Sequence, residues 1–124
     1  MTQGKKPYNL EERTLLFAKN IIKFVERVPK SLPNIEIAKQ LVRSVGSVGA
    51  NYIEANEALS KKDFLMRVKI SRKEAKESCY WIKLLTVTDS LKAEHAALLQ
   101  EGTEVMKILS SIVEKSAPKS TKLQ

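Results

Sequence analysis

The sequence predicts an all-α protein, an antiparallel up-and-down four-helix bundle. Three observations carry that prediction. Apolar residues recur at alternating spacings of four and three through four long segments. Only 4 Gly and 4 Pro occur and aromatics are 6%, which disfavours β-sandwiches and low-complexity chains. The 124 residues are 43% hydrophobic, enough for a single core and the size of one domain.

Residues 1–9 and 116–124 read as flexible tails around a bundle over residues 10–115. Asn9 and Glu12 fit a capping pattern, so the first helix begins at Leu10. Leu10, Thr14, Phe17, Ile21, Phe24 and Val28 form its inner face, and Pro29 stops it. Asn34 is expected to cap the second helix, from Ile35 to about Leu59. Ile35, Ala38, Val42, Val45, Gly49, Tyr52 and Ala55 line one side of it. Gly46 and Gly49 each weaken a helix interior by about 1 kcal/mol relative to Ala, which suggests that another backbone comes close. The unbroken apolar period argues for a continuous helix through Gly46-Ser47.

Ser60 and Asp63 mark the next start. The third helix is expected from Lys61 to about Thr88, with Phe64, Val68, Ser71, Ala75, Ser78, Ile82 and Leu85 as a heptad seam. Thr88-Asp89-Ser90 reads as a turn. The fourth helix follows from near Leu91 to about Lys115, with Leu98, Gly102, Val105, Leu109 and Ile112 facing inward. Leu15, Ile22, Val25, Leu41, Val48, Ile53, Leu65, Ile70, Trp81 and Leu84 lie off these faces. Some should widen the core, and some should face outward and need a partner subunit.

The net charge is +8, and it is unevenly placed. Residues 1–30 carry net +4 and residues 61–92 net +5, while the other two quarters are close to neutral. Such a field attracts polyanions, nucleic acid first among them. It also serves solubility.

Catalytic inventory is poor. The chain has one His, His95, and one Cys, Cys79. His95 reads as a surface residue and Cys79 as a small packed one. A lone Cys, without an apolar run after the N-terminal Met-Thr-Gln-Gly-Lys-Lys, points to a reducing, cytoplasmic setting. No apolar stretch reaches 18 residues, so no membrane span is expected. A di-iron centre needs Glu-x-x-His on two helices, which the chain lacks. Phosphate loops, Gly-x-Gly-x-x-Gly and Cys-x-x-Cys are absent too. No enzyme, cofactor or metal site is expected.

Two polar constellations remain. Arg43, Ser47, Asn51 and Glu54 follow one another along the second helix, and Glu74 and Glu77 lie on the third. Antiparallel pairing about Ser60 would bring Arg43 to Glu77, and Asn51 with Glu54 to the Ser71–Glu74 region. That arrangement reads as a network fixing helix register. A paired-carboxylate site using Glu54, Glu74 and Glu77 is the enzymatic alternative. The second constellation is a basic stripe. Lys62, Lys69, Arg72, Lys73, Lys76 and Lys83 share the face of the third helix opposite its seam, flanked by Lys61 and Arg67. A row of cations about 30 Å long can follow a phosphate backbone. It can equally be a solvated face partly neutralised by Asp63, Glu74 and Glu77. Tyr80 is the single aromatic interleaved in it, so base stacking is not strongly indicated.

Two stretches carry a resemblance. Gln40-Leu-Val-Arg43-Ser44-Val-Gly-Ser47-Val-Gly-Ala-Asn51-Tyr-Ile-Glu54-Ala55 is the first. The second is Ser60-Lys-Lys-Asp63-Phe64 followed by Lys73-Glu74-Ala75-Lys76-Glu77-Ser78-Cys79-Tyr80-Trp81-Ile82. Together they resemble the small bacterial four-helix bundle proteins named for intervening sequences in large-subunit ribosomal RNA genes. Many members have Asn-Ile-Ala-Glu-Gly where this chain has Asn51-Tyr52-Ile53-Glu54-Ala55. The resemblance implies an up-and-down protomer, often assembled as a homopentamer. The similar accessory variability factors of diversity-generating retroelements imply basic pentamers that bind nucleic acid and a reverse transcriptase. The expectation is therefore a non-enzymatic, basic homo-oligomer that binds nucleic acid, RNA above all, through phosphate contacts. The alternative is a protein-interaction scaffold with no direct nucleic-acid role.

Overall fold

The structure is a computed structural model and describes residues 9–116. Beyond Asn9 and Ser116, the two expected tails lie outside the described residues. Four α-helices follow one another: α1 (Leu10–Val25), α2 (Leu32–Asn56), α3 (Lys61–Leu84) and α4 (Lys92–Ser116). A 3₁₀ turn, Asp89–Leu91, leads into α4. Each helix packs against two neighbours in the cycle α1–α2–α3–α4. This is the up-and-down bundle that short connections between long amphipathic helices produce.

The helix starts follow local chemistry. Asn9 accepts the Glu12 N–H at 2.8 Å, and Ser60 accepts the Asp63 N–H at 3.0 Å. The start of α2 differs from expectation. Ser31, not Asn34, is the cap, and it accepts the Asn34 N–H at 3.2 Å. Pro33 falls in the first turn, where its missing N–H removes no helical bond. Asn34 is freed for another task. Its side-chain amide donates to Pro29 O at 2.9 Å and Thr86 O at 2.8 Å, and its Oδ1 accepts the Thr86 N–H at 3.0 Å. One buried side chain thus ties the α1–α2 and α3–α4 connections together.

The helix ends are shorter than the apolar pattern suggests. α1 stops at Val25, because Val28 precedes Pro29 and is biased away from the helical region. Val28 is nevertheless buried. α3 stops at Leu84, and Leu85 turns to extended backbone while remaining buried.

The core has two apolar clusters. Phe17, Ile21, Phe24, Leu41, Val45, Ile82 and Leu98 fill the end near Asn34. Val48, Ala55, Val68, Ala75, Val105 and Leu109 fill the other. The inner face of α2 is rotated from the expected one. Leu41 and Val48 are buried, whereas Ile35 and Val42 face out. α2 packs between α1 and α3, so its inward stripe is set by both neighbours rather than by its most apolar line.

Helix α2 packs closest on α3 because small residues line their seam. Ser44 and Ser78 hydrogen-bond at 2.8 Å within the core, and Ser71 Oγ donates to Val48 O at 2.6 Å. Ser44 and Ser78 also reach the backbone of their own helices, at Leu41 O and Glu74 O. No buried hydroxyl there lacks a partner, as a low-dielectric site requires. Gly49 admits α1. A Cβ at that position would lie 3.0 Å from Thr14 Oγ1. Gly102 plays the same part on α4, where a Cβ would sit 2.9 Å from Cys79 Sγ and 3.1 Å from Phe17 Cζ. A Cβ at Gly46 would meet no atom of the described residues within 4 Å, so on α2 the close approach belongs to Gly49.

Candidate nucleic-acid interface

The basic stripe resolves into a groove and two outlying cations. Lys69, Arg72, Lys73 and Lys76 of α3 line an open groove of about 460 Å³, whose other wall is Met106 and Ser110 of α4. No carboxylate is among its lining residues. Lys62 and Lys83 are exposed further along the same helix, toward its two ends. Lys61 is exposed as well. Arg67 leaves the stripe. It turns to α2 and donates to Asn51 Oδ1 at 3.2 Å.

The cations stay available because nearby acids are engaged elsewhere. Arg43, on α2, donates to Glu77 at 3.1 Å and to Glu74 at 3.4 Å. Both carboxylates are thereby drawn to the α2 side of α3, away from the groove. Lys73 approaches Glu74 only at 3.9 Å. Among the described residues, Lys69, Arg72 and Lys76 form no ion pair. Four cations crowd one wall against a low-dielectric helix surface, which focuses the field outward.

The register network is partly as the spacing suggests. Arg43 meets Glu74 and Glu77, and Glu74 is buried. Asn51 contacts Arg67 rather than the Ser71–Glu74 region, and its own amide donates to Ser47 O at 2.9 Å. Ser47 contributes only that carbonyl. Glu54 is exposed and makes no ion pair among the described residues. Glu54, Glu74 and Glu77 therefore do not converge. Among the described residues no three His, Cys, Asp or Glu side chains group as metal ligands would.

The opposite seam, α1–α4, is held by charge pairs that the sequence did not signal. Arg13 binds Glu101 bidentately at 2.7 and 2.8 Å and reaches Glu104 at 2.9 Å. These hydrogen bonds, those donated to Glu101 foremost, raise the Arg13 pKa beyond its ordinary value. Arg27 grips Glu94 at 2.7 and 2.5 Å, and this hydrogen bonding holds Glu94 below the usual carboxylate range. Between the two clamps lies a cleft of about 620 Å³ floored by Leu16, Phe17, Ala97 and Leu98. His95 does not sit free on the surface. Its Nε2 donates to Ile82 O at 2.6 Å and its ring stacks on Phe24. Cys79 is buried against α4, and burial pushes its thiol pKa up. That suits packing rather than nucleophilic chemistry.

A third surface is apolar. Leu15, Ala18 and Ile22 on α1 run beside Val42, Gly46, Ala50 and Ile53 on α2. Leu15 is 55% exposed and Ile53 48% exposed. A furrow of about 250 Å³ lies in this face, with Gly46, Gly49 and Ala50 among the small residues lining it. Of the ten residues left off the expected faces, Leu41 and Val48 joined the core, while Leu15, Ile22, Ile53 and Leu84 face outward.

The fold and its surfaces define a basic, all-α four-helix bundle with a cationic α3–α4 groove and an apolar α1–α2 face. The chain belongs to the 23S rRNA-intervening sequence protein family, which it matches over residues 8–111. It is also similar to a crystal structure from Bacteroides thetaiotaomicron, described as a protein of unknown function from the S23 ribosomal protein family. The two share 31% identity at a TM-score of 0.74, over 85% of this chain and 95% of that one. No curated protein matches the chain. Among the described residues no helix is long and apolar enough to cross a membrane.

Proposed function

We propose that this protein is a non-enzymatic, homo-oligomeric nucleic-acid-binding bundle that grips RNA by its phosphates. Lys69, Arg72, Lys73 and Lys76 carry the contact, with Lys62 and Lys83 extending it along α3. The observation that carries this reading is the gathering of four cations on one groove without a carboxylate among them. The Arg43 contacts to Glu74 and Glu77 add to it, because they draw both acids toward α2 and leave Lys73 alone of the four cations near a carboxylate, Glu74 at 3.9 Å. The family's association with ribosomal RNA genes agrees with a polyanionic partner.

Assembly is assigned to the apolar α1–α2 face. Copies of a +8 chain repel each other most where their charge is concentrated, and this face presents apolar side chains instead. Assembly there would leave the α3–α4 groove outside the contact, since the α1–α2 and α3–α4 seams lie on opposite sides of the bundle. The same apolar face supports a second reading, a scaffold whose protein partner docks on it.

Reversing Lys69, Arg72 and Lys73 to Glu separates the two. Loss of RNA binding with an unchanged particle mass supports the phosphate groove. Unchanged RNA binding refutes it and leaves the scaffold.

A further inference from the structure

We propose that the nucleic acid held on this stripe is single-stranded and that Tyr80 is the surface on which one of its bases stacks. This rests on the phosphate-groove reading and adds to it which form of nucleic acid is taken.

Two parallel rows of side chains run along the outer face of α3. Lys62, Lys69, Lys76 and Lys83 form one row at intervals of seven residues. Met66, Lys73 and Tyr80 form the adjacent row at the same interval. Seven residues are nearly two helical turns, so each row projects from one side of the helix. Tyr80 stands one turn beyond Lys76 and two beyond Lys73, in line with the groove. It is 57% exposed, and Met66 at the other end of its row is 47% exposed.

Tyr80 is the aromatic that α3 leaves exposed beside these cations. The Tyr80 ring meets the Trp81 ring edge-on, with centroids 5.2 Å apart and planes at 67°. A tyrosine has only two side-chain torsions to fix, so little freedom is lost when a base settles on it.

The chemistry that satisfies both rows is a charged backbone with accessible base faces. Cations take the phosphates and the ring takes a base. A duplex offers the phosphates but keeps its base faces stacked inside, so Tyr80 would add nothing to duplex binding. A single strand offers both.

The test compares one labelled RNA of mixed sequence, single-stranded and annealed to its complement. It is titrated against the wild type, Tyr80→Phe, Tyr80→Leu and Tyr80→Ala. Single-strand binding by wild type and Tyr80→Phe should be equal. Tyr80→Ala should weaken it roughly 5- to 150-fold, the range for losing one base–aromatic stack. Tyr80→Leu, which keeps bulk without a π face, should lose most of the same factor. Duplex affinity should not move in any variant. If Tyr80→Ala binds the single strand as wild type does, with salt dependence intact, stacking is overturned while the phosphate groove stands. If duplex affinity falls equally, or light scattering shows a changed particle mass, Tyr80 serves another contact and the proposal fails. If wild type binds neither RNA, the groove reading fails first and this one with it.

Discussion

Asn34 offers a sharp test of how the bundle end is closed. Its side chain makes three hydrogen bonds: to Pro29 O at 2.9 Å, to Thr86 O at 2.8 Å and from the Thr86 N–H at 3.0 Å. They link the α1–α2 and α3–α4 connections through Asn34, in the first turn of α2, which is 52 residues from Thr86 in sequence. At about 1 kcal/mol each, three bonds amount to about 3 kcal/mol. Thr86 is itself exposed, so water replaces part of what Asn34→Ala removes. We therefore expect Asn34→Ala to lose about 2 kcal/mol, lowering the melting temperature by roughly 5–10 °C for a domain of this size. Asn34→Asp should be worse. It keeps the acceptor for Thr86 N–H but sets a carboxylate against two carbonyl oxygens. Urea unfolding followed by circular dichroism measures both. A loss below about 0.5 kcal/mol in Asn34→Ala would refute the idea that this residue clamps the loops.

The glycines of the bundle make paired predictions. Gly46→Ala should stabilise the single protomer by up to about 1 kcal/mol, because within it the added methyl meets no described atom within 4 Å and the helix gains propensity. Gly102→Ala should destabilise by about 1–2 kcal/mol, because its methyl would press on Cys79 Sγ and Phe17 Cζ and the overpacking outweighs propensity. Thermal melts of the two variants should move in opposite directions. The α1–α4 clamps predict an acid limb. Glu94 and Glu104 titrate below the ordinary carboxylate value, Glu94 through Arg27 and Glu104 through Gln100 and Arg13. Their contribution is complete above the unfolded pKa and is lost as pH falls through the lower folded one. Urea midpoints should therefore drop below about pH 4.3, and Glu94→Gln should flatten that drop.

How much of this was legible before the fold depended on the distance over which each feature is decided. The caps Asn9 and Ser60 are local, and their residue patterns sufficed. The α3 seam from Val68 to Leu85 was legible because small and apolar residues alternate at one period on one face. At the start of α2, both Ser31 and Asn34 can cap. Only the contact with Thr86, from the far loop, decides between them. The inward side of α2 was misplaced by about one residue, because Ile35 and Val42 are as apolar as Leu41 and Val48. Periodicity defines a stripe without telling which neighbour claims it. Arg13 and Glu101 lie 88 residues apart, and no local pattern announces their pairing. Of the groove, the α3 wall was visible as a row of charge. Met106 and Ser110 were not, since they depend on the α4 register.

The central claim is that phosphates, held by the cations of the α3–α4 groove, provide the affinity. Four such contacts release counterions in proportion, giving a slope of log affinity on log salt of about −3 for a single strand, or steeper if Lys62 and Lys83 engage. Titration of labelled RNA between 50 and 200 mM salt should then show an affinity loss of about 50-fold or more. An affinity that does not change over that range would contradict the account.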